Sequence, residues 1–312
     1  MISILIACYK SAKTIEPVIC EIEKIFKNQT KYTYEIILVN DGSPDNTFEI
    51  IEKIAEEHQN IIGVNLSKNY GQLSAKMAGL QYVNGEYLVY MDDDGQCPTD
   101  RIFDLISCLE AGYDIAYAAY TEKQTTLFKK ITSDIHGKLT EVTLGKPKGI
   151  KISNFYAINR LVIDSLRKYK SPFPSPLGYM LQITKKIANV PMVEKKRLAG
   201  KSNYNLKRLF SQWMTVFTNF SIVPLRIISS IGFFTTLISF LMMIYLIIRK
   251  LIVGSLSGYT SIACLILFLG GLNLISLGLI GEYIGRIYIT ISGKPVYTIK
   301  NVVGLSEEKH NG

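Results

Sequence analysis

Three carboxylates stand in a row at Asp92-Asp93-Asp94, between the apolar run Tyr87-Leu88-Val89-Tyr90-Met91 and the residues Gly95-Gln96-Cys97-Pro98. Asp92, Asp94 and Gln96 offer three oxygen ligands over five residues. Such ligands suit a hard divalent cation, Mg²⁺ or Mn²⁺, and a cation held there can clamp a diphosphate. The same spacing also makes a solvated acidic turn, and short motifs of this kind misfire often. A second apolar run, Ile36-Ile37-Leu38-Val39, ends in Asn40, Asp41 and Gly42. The Asp41 carboxylate can accept from a base N–H or a ribose hydroxyl, or it can cap the helix that follows.

The elements around these residues decide whether they meet. A run that is apolar on both faces reads as an interior strand of a parallel sheet covered by helices. Ligands bind such sheets beyond the carboxyl ends of the strands. Over residues 1–120 strands alternate with helices: strands at 2–8, 35–40, 61–66, 87–92 and 115–120, helices near 14–26, 47–58, 72–83 and 101–111. The alternation predicts an α/β fold with a mostly parallel sheet and helices on both faces. Tyr9, Asp41, Asp92 and Asp94 then emerge at one edge of that sheet and form a crevice.

The chain has 312 residues, 48% of them hydrophobic, with a formal charge of +9. Its mean hydropathy is +0.18, and the apolar excess lies mostly after residue 220, which points to a membrane. Lys and Arg concentrate at 185–226, just ahead of that block, so anionic headgroups or a phosphorylated lipid fit the basic balance better than nucleic acid. Cys8, Cys20, Cys97, Cys108 and Cys264 are odd in number and scattered, which indicates neither a disulfide framework nor a zinc site. His58, His136 and His310 lie far from any motif. The start reads as a strand rather than an export signal, so the first domain is expected in the cytoplasm.

Leu206, Leu209, Phe210, Trp213, Phe217 and Phe220 recur at helical steps beside Lys207 and Arg208. That pattern predicts an interfacial amphipathic helix across 201–225. Two uncharged stretches, 227–248 and 259–281, are each about 22 residues, long enough to cross a bilayer. They predict a two-helix transmembrane hairpin over 226–281 that returns the chain to the cytoplasm as segment 282–312. Arg249 and Lys250 oppose the positive-inside rule, and a large cytoplasmic domain overrides them. Asn273 in the second span can join helices and so favours a homo-oligomer. Residues 296–303 read as a terminal strand.

Taken in order, these pieces resemble the polyprenyl-phosphate glycosyltransferases of glycosyltransferase family 2, the group of dolichol-phosphate mannose synthase and the undecaprenyl-phosphate sugar transferases. The resemblance rests on Asn40-Asp41-Gly42-Ser43-Pro44-Asp45-Asn46-Thr47, Leu66-Ser67-Lys68-Asn69-Tyr70-Gly71-Gln72, Met91-Asp92-Asp93-Asp94-Gly95-Gln96-Cys97-Pro98, Arg197-Leu198-Ala199-Gly200-Lys201-Ser202-Asn203-Tyr204 and Gly281-Glu282-Tyr283-Ile284-Gly285-Arg286. It implies a GT-A domain at 1–200 with Asp92 and Asp94 catalytic. It implies Mg²⁺ or Mn²⁺ on Asp92, Asp94 and Gln96. A nucleotide-sugar, most often a UDP-sugar, would lie against Tyr9, Asp41, Asn69, Gly71 and Asp93, and a polyprenyl phosphate against Arg197, Lys201, Ser202 and Tyr204. The location implied is a bacterial cell membrane, multi-pass, with the catalytic domain cytoplasmic.

The chain departs from the family in three places. The first turn reads Tyr9-Lys10-Ser11 where Tyr-Asn-Glu is usual. Tyr120 replaces a frequent Arg, and Asn159 stands where Asp is common; both are expected beside the sugar or the acceptor. A lost carboxylate there agrees with a phosphate acceptor, because a phosphate monoester with a second pKa of about 6 needs no base to make it a nucleophile. Lys123, Lys129 and Lys130 reach phosphate or form a solvated face, and the Pro-rich loop 171–178 borders a lipid tunnel or merely connects. A processive polysaccharide synthase would need more spans and a Gln-x-x-Arg-Trp signature, and a non-catalytic scaffold would be expected to lose its metal ligands. A transferase acting on a sugar hydroxyl is the remaining alternative.

Overall fold

Seven consecutive residues with no exposed side chain, Ile2–Cys8, form β1 at the middle of the sheet. In the computed structural model the described residues are 1–121, 141, 144–169, 171–172, 174–195, 223–253, 258–293 and 295–305. Around β1 run β2 (Tyr34–Asn40), β3 (Ile61–Leu66), β4 (Tyr87–Asp92), β5 (Ile115–Tyr120), β6 (Tyr156–Asn159), β7 (Ile187–Met192) and β8 (Ile299–Val303). Among the described residues they make one sheet in the order β7-β5-β6-β4-β1-β2-β3-β8. β1 pairs in parallel with β2 and β4, β2 with β3, and β5 with β7; β6 runs antiparallel between β4 and β5, and β8 antiparallel beside β3.

The helices are α1 (Ile15–Lys27), α2 (Thr47–Glu57), α3 (Gln72–Leu80), α4 (Ile102–Glu110), α5 (Arg160–Arg167) and α6 (Pro176–Ile183). Ile15, Val18, Ile19, Ile22 and Phe26 of α1, Ile51 and Ile54 of α2, and Ile102, Leu105, Ile106 and Leu109 of α4 join the core formed by Ile2, Ile4, Ile6 and Cys8. The opposite face carries α3. It lies so close that a Cβ on Gly79 would stand 2.2 Å from Leu5 Cδ1 and 2.7 Å from Val39 Cγ2. Only glycine permits that approach. The predicted strands and helices of 1–120 form, except that α3 stops at Leu80, after which Gln81, Tyr82 and Val83 take three-residue turns. Thr14 stands at the start of α1, but its hydroxyl donates to Ser11 O at 3.3 Å and does not cap the helix.

The chain divides into two compact units, Met1–Ser211 with Pro295–Gly312, and Gln212–Lys294. The tail after residue 295 therefore belongs to the sheet unit. In the second unit α7 (Val223–Val253) and α8 (Tyr259–Ile291) are 31 and 33 residues long. Two spans were expected. Among the described residues only Phe268–Ile291, 24 residues of mean hydropathy 1.4, is long and apolar enough to cross a membrane, while α7 contributes the shorter apolar stretch Ser230–Met242. The helices also outrun the sequence boundaries. α7 continues through Arg249 and Lys250 to Val253, and α8 continues past Gly281, where Glu282 and Arg286 pair one turn apart at 2.8 Å. Pairing at i and i+4 lets two charges ride in one helix. The expected interfacial helix lies outside the described residues over 201–222.

Candidate active site

The parallel strands β1, β2, β3 and β4 point their carboxyl ends to the same edge, and the turns leaving them build the site. β4 ends on Asp92, and Gly95, at φ 74°, lets the chain reverse through Asp93-Asp94. Gln96 N donates to Asp94 Oδ1 at 3.0 Å, which fixes the turn. Asp92 is held from two sides: Gln72 Nε2 donates to Oδ1 at 2.8 Å and Asn154 Nδ2 to Oδ2 at 3.2 Å. The same Gln72 amide reaches the Tyr90 hydroxyl at 3.1 Å. Burial raises the Asp92 pKa and Asp94 adds to the rise, while Lys76 opposes both.

Lys76 is a buried lysine beside Asp92. Its Nζ lies 3.4 Å from the Tyr90 ring centroid and 5.3 Å from that of Tyr156, and burial pushes its pKa down to about 7 against the pull of Asp92. Tyr90 stacks on Tyr156 and Tyr156 packs on Tyr117, three tyrosines in register across β4, β6 and β5. The buried Tyr117 hydroxyl has no hydrogen-bond partner among the described residues.

Asp93 turns the other way. Its Oδ2 accepts from Tyr9 N at 3.2 Å and from Ser11 Oγ, and burial raises its pKa to about 6. It thus pins the turn after β1, where Lys10 adopts φ 59° and Tyr9 exposes its ring. Asp41, only 3% exposed, accepts from Tyr70 N at 2.7 Å and Gly71 N at 2.9 Å. It clamps the 67–71 loop, in which Asn69 is exposed and Gly71 takes φ 89°. A base N–H at Asp41 would share those oxygens. Gly42 backs directly on that loop, since a Cβ there would meet Lys68 C at 2.3 Å.

Asp92, Asp94 and Gln96 therefore share one turn, with Tyr9, Asp41, Asn69, Gly71 and Asp93 in the flanking turns. Arg197, Lys201, Ser202 and Tyr204 lie outside the described residues, as do Lys123, Lys129 and Lys130. The chain leading to them starts at this edge: Lys195 N donates to Gln96 O at 2.9 Å, and Lys195 Nζ bonds Glu21. Tyr120 ends β5 at the same edge and has Cys97 and Asp92 in its electrostatic surroundings.

Asn159 does not belong here. β6 is antiparallel to β4 and pairs Asn159 with Tyr87, at the opposite end of the strand from Asp92, about 16 Å away at 3.3 Å per residue. Its side chain starts α5, accepting from Val162 N at 3.2 Å and donating to Asp114 Oδ1 at 2.8 Å. The expectation that Asn159 faces sugar or acceptor is overturned, and with it the inference from a lost base there. Asn154, five residues earlier, is the one that reaches Asp92. The sequence carried no signal for Asn154 or Lys76 as site residues, and Gln72 stood at the end of a family stretch without a role, because strand direction and helix facing select all three.

Among the described residues no three His, Cys, Asp or Glu side chains group as a metal site. The donor set is two carboxylates and an amide. It suits a hard divalent ion, because burial and the neighbouring Asp94 raise the Asp92 pKa and a carboxylate oxygen bonded to one amide keeps a lone pair for a cation.

A mixed sheet with its acidic turn at the carboxyl edge of a central strand, covered by helices on both faces, defines a GT-A glycosyltransferase domain. Residues 3–168 match Glycosyl transferase family 2, and residues 223–287 match the GtrB C-terminal hairpin. The chain belongs to glycosyltransferase family 2. It is 30% identical, over 98% of its length and 95% of the relative's, to an uncharacterised glycosyltransferase of Bacillus subtilis. It is 31% identical, over 99% and 96%, to an undecaprenyl-phosphate 4-deoxy-4-formamido-L-arabinose transferase of Photorhabdus laumondii, and 31% identical, over 96% and 97%, to a prophage-derived bactoprenol glucosyl transferase of Shigella flexneri. The crystal structure of glucosyl-3-phosphoglycerate synthase from Mycobacterium tuberculosis with Mn²⁺ and UDP-glucose shares the fold, with TM-score 0.51 and 20% identity over 70% of this chain and 77% of that one.

Proposed function

We propose that this glycosyltransferase moves a sugar from a nucleotide-sugar, a UDP-sugar by preference, to a polyprenyl phosphate at the membrane. The observation that carries the reading is the turn Asp92-Asp93-Asp94-Gly95-Gln96, built at the carboxyl edge, in a chain that follows undecaprenyl-phosphate transferases over 99% of its length. Asp92, Asp94 and Gln96 would hold Mg²⁺ or Mn²⁺, which when bound stabilises charge on the departing diphosphate. Gln72 and Asn154 orient Asp92, and Asp41 and Asp93 fix the loops that border the nucleotide. The acceptor phosphate is largely dianionic at pH 7 and attacks C1 without a base. In-line displacement gives inversion and a β-linked lipid-phosphate sugar; recovery of an α-linked product would overturn that stereochemistry.

The test is transfer from a panel of UDP- and GDP-sugars to undecaprenyl phosphate in detergent with Mn²⁺ or Mg²⁺, read by mass spectrometry of the lipid. Asp94→Ala is expected to abolish transfer and leave the protein folded and in the membrane fraction. A product on a sugar hydroxyl, or none on lipid phosphate with any donor, would remove this reading. The catalytic domain is placed on the cytoplasmic face with residue 254 outside, and a reporter fused at Gly254 checks that orientation.

A further inference from the structure

The segment following the last helix of the second unit is woven into the edge of the sheet. Only residues 292–298 separate the end of α8 from β8. Two glycines make room for it. Gly63 on β3 leaves space against Val303, where a Cβ would stand 2.7 Å from Val303 Cγ2, and Gly304, at φ 77°, passes so close to Ile61 that a Cβ would lie 2.2 Å from its carbonyl oxygen.

Across the carboxyl edge the register places Asn40 beside Asn65 and Asn65 beside Asn301, on three neighbouring strands. Their side chains form a ladder. Asn65 Nδ2 donates to Asn301 Oδ1 at 3.0 Å, Asn40 Nδ2 to Asn65 Oδ1 at 2.9 Å, and Ser43 N to Asn40 Oδ1 at 3.2 Å. Ser43 Oγ in turn accepts from Lys10 N at 3.1 Å. A second tie runs to the other loop: Ser67 N donates to Thr298 O at 2.9 Å, and Ser67 Oγ meets the Tyr70 hydroxyl at 3.1 Å. Asp41 joins the two loops through Tyr70 N and Gly71 N. The turn after β2 and the 67–71 loop are thus each bonded, directly or through the ladder, to residues 298–301.

We propose that the tail strand is part of the donor-nucleotide site, with Asn301 a positioning residue that sets the turn after β2 through the asparagine ladder. The proposal rests on the reading of these loops as the nucleotide-binding edge. Asn40 and Asn65 are 3% and 8% exposed, so a missing rung is not readily replaced by solvent. The outermost rung, Asn301, is exposed, which makes its replacement tolerable to folding.

The experiment measures UDP and GDP binding by calorimetry, and steady-state transfer, on the full chain in detergent with Mn²⁺. Asn301→Leu and Asn301→Ala remove the acceptor for Asn65; Asn301→Asp keeps it. The leucine and alanine variants are expected to weaken nucleotide binding and raise donor KM about fivefold, with kcat within twofold, and the aspartate variant to bind as the parent does. Unchanged binding in the leucine and alanine variants, even with a lowered Tm, overturns the proposal, as does equal loss in all three. A parent chain that binds neither nucleotide overturns the reading of the loops themselves.

Discussion

Both edges of the sheet bury carboxylates, yet the two are built in opposite ways. At the amino edge Glu35, 8% exposed, accepts from Ser3 Oγ at 2.6 Å, Asn84 N at 2.6 Å and Asn84 Nδ2 at 2.9 Å. At the same edge but four strands away, Asp114, just ahead of β5, accepts from Asn159 Nδ2 and Thr184 Oγ1. Each acid there has its own donors and no acid beside it in the chain. At the carboxyl edge three acids crowd one turn, burial raises Asp92 and Asp93, and a lysine is buried among tyrosines beneath them. Buried polarity alone therefore does not mark a site. Like charges crowded into one half-buried turn do, because their repulsion is costly until a cation arrives.

Asp92→Asn should break this contrast most strongly. Removing one charge from the crowded turn is expected to cost about 10³-fold in transfer while Tm in detergent holds or rises, since a strained charge has gone. A transfer rate within tenfold of the parent would put Asp92 in the same class as Glu35.

Lys76→Met ranks next. The folded pKa of Lys76 is about 7, below its ordinary 10.5. Between those values the unfolded chain holds a proton that the folded chain lacks, so stability rises with pH across the window, and the burial penalty is fully present below pH 7. The variant should gain up to roughly 5 kcal/mol at pH 6 and progressively less toward pH 10, read as Tm against pH. A pH-independent gain would mean that packing, not charge, sets the cost.

Glu35→Gln should act in the reverse sense to Asp92→Asn. It strands a donor at the amino edge and is expected to destabilise by about 2 kcal/mol, with donor KM and kcat unchanged. The smallest effect belongs to Asn159→Asp, which sits at the amino edge and should leave donor KM and the sugar transferred as they are; a changed sugar preference would return that residue to the site.

Much of the fold was legible in order. Strands apolar on both faces and amphipathic helices at 15–27 and 47–57 follow from side-chain period, which is a local property. The acidic turn was legible too, because Asp92, Asp94 and Gln96 lie within five residues and a strand end carries its turn with it. Tyr9, Asp41 and Asp92 were expected at one edge and meet there, because parallel strands share a direction; where an antiparallel strand had to be placed, order failed. Asn159 and Asn154 are five residues apart on one segment, and only the antiparallel direction of β6 decides which of them reaches Asp92.

The sequence by itself determined the alternating core, the turn that carries the acids, one long apolar helix over 268–291 and the terminal strand. The tertiary structure decided that β6 enters between β4 and β5, that Gly79 lets α3 bring Lys76 and Gln72 against β4, and that the tail closes the sheet beside β3. The reason is physical. Period and turn chemistry act over a few residues, whereas strand order, direction and register are settled by which buried surfaces and backbone hydrogen bonds satisfy one another across the whole chain.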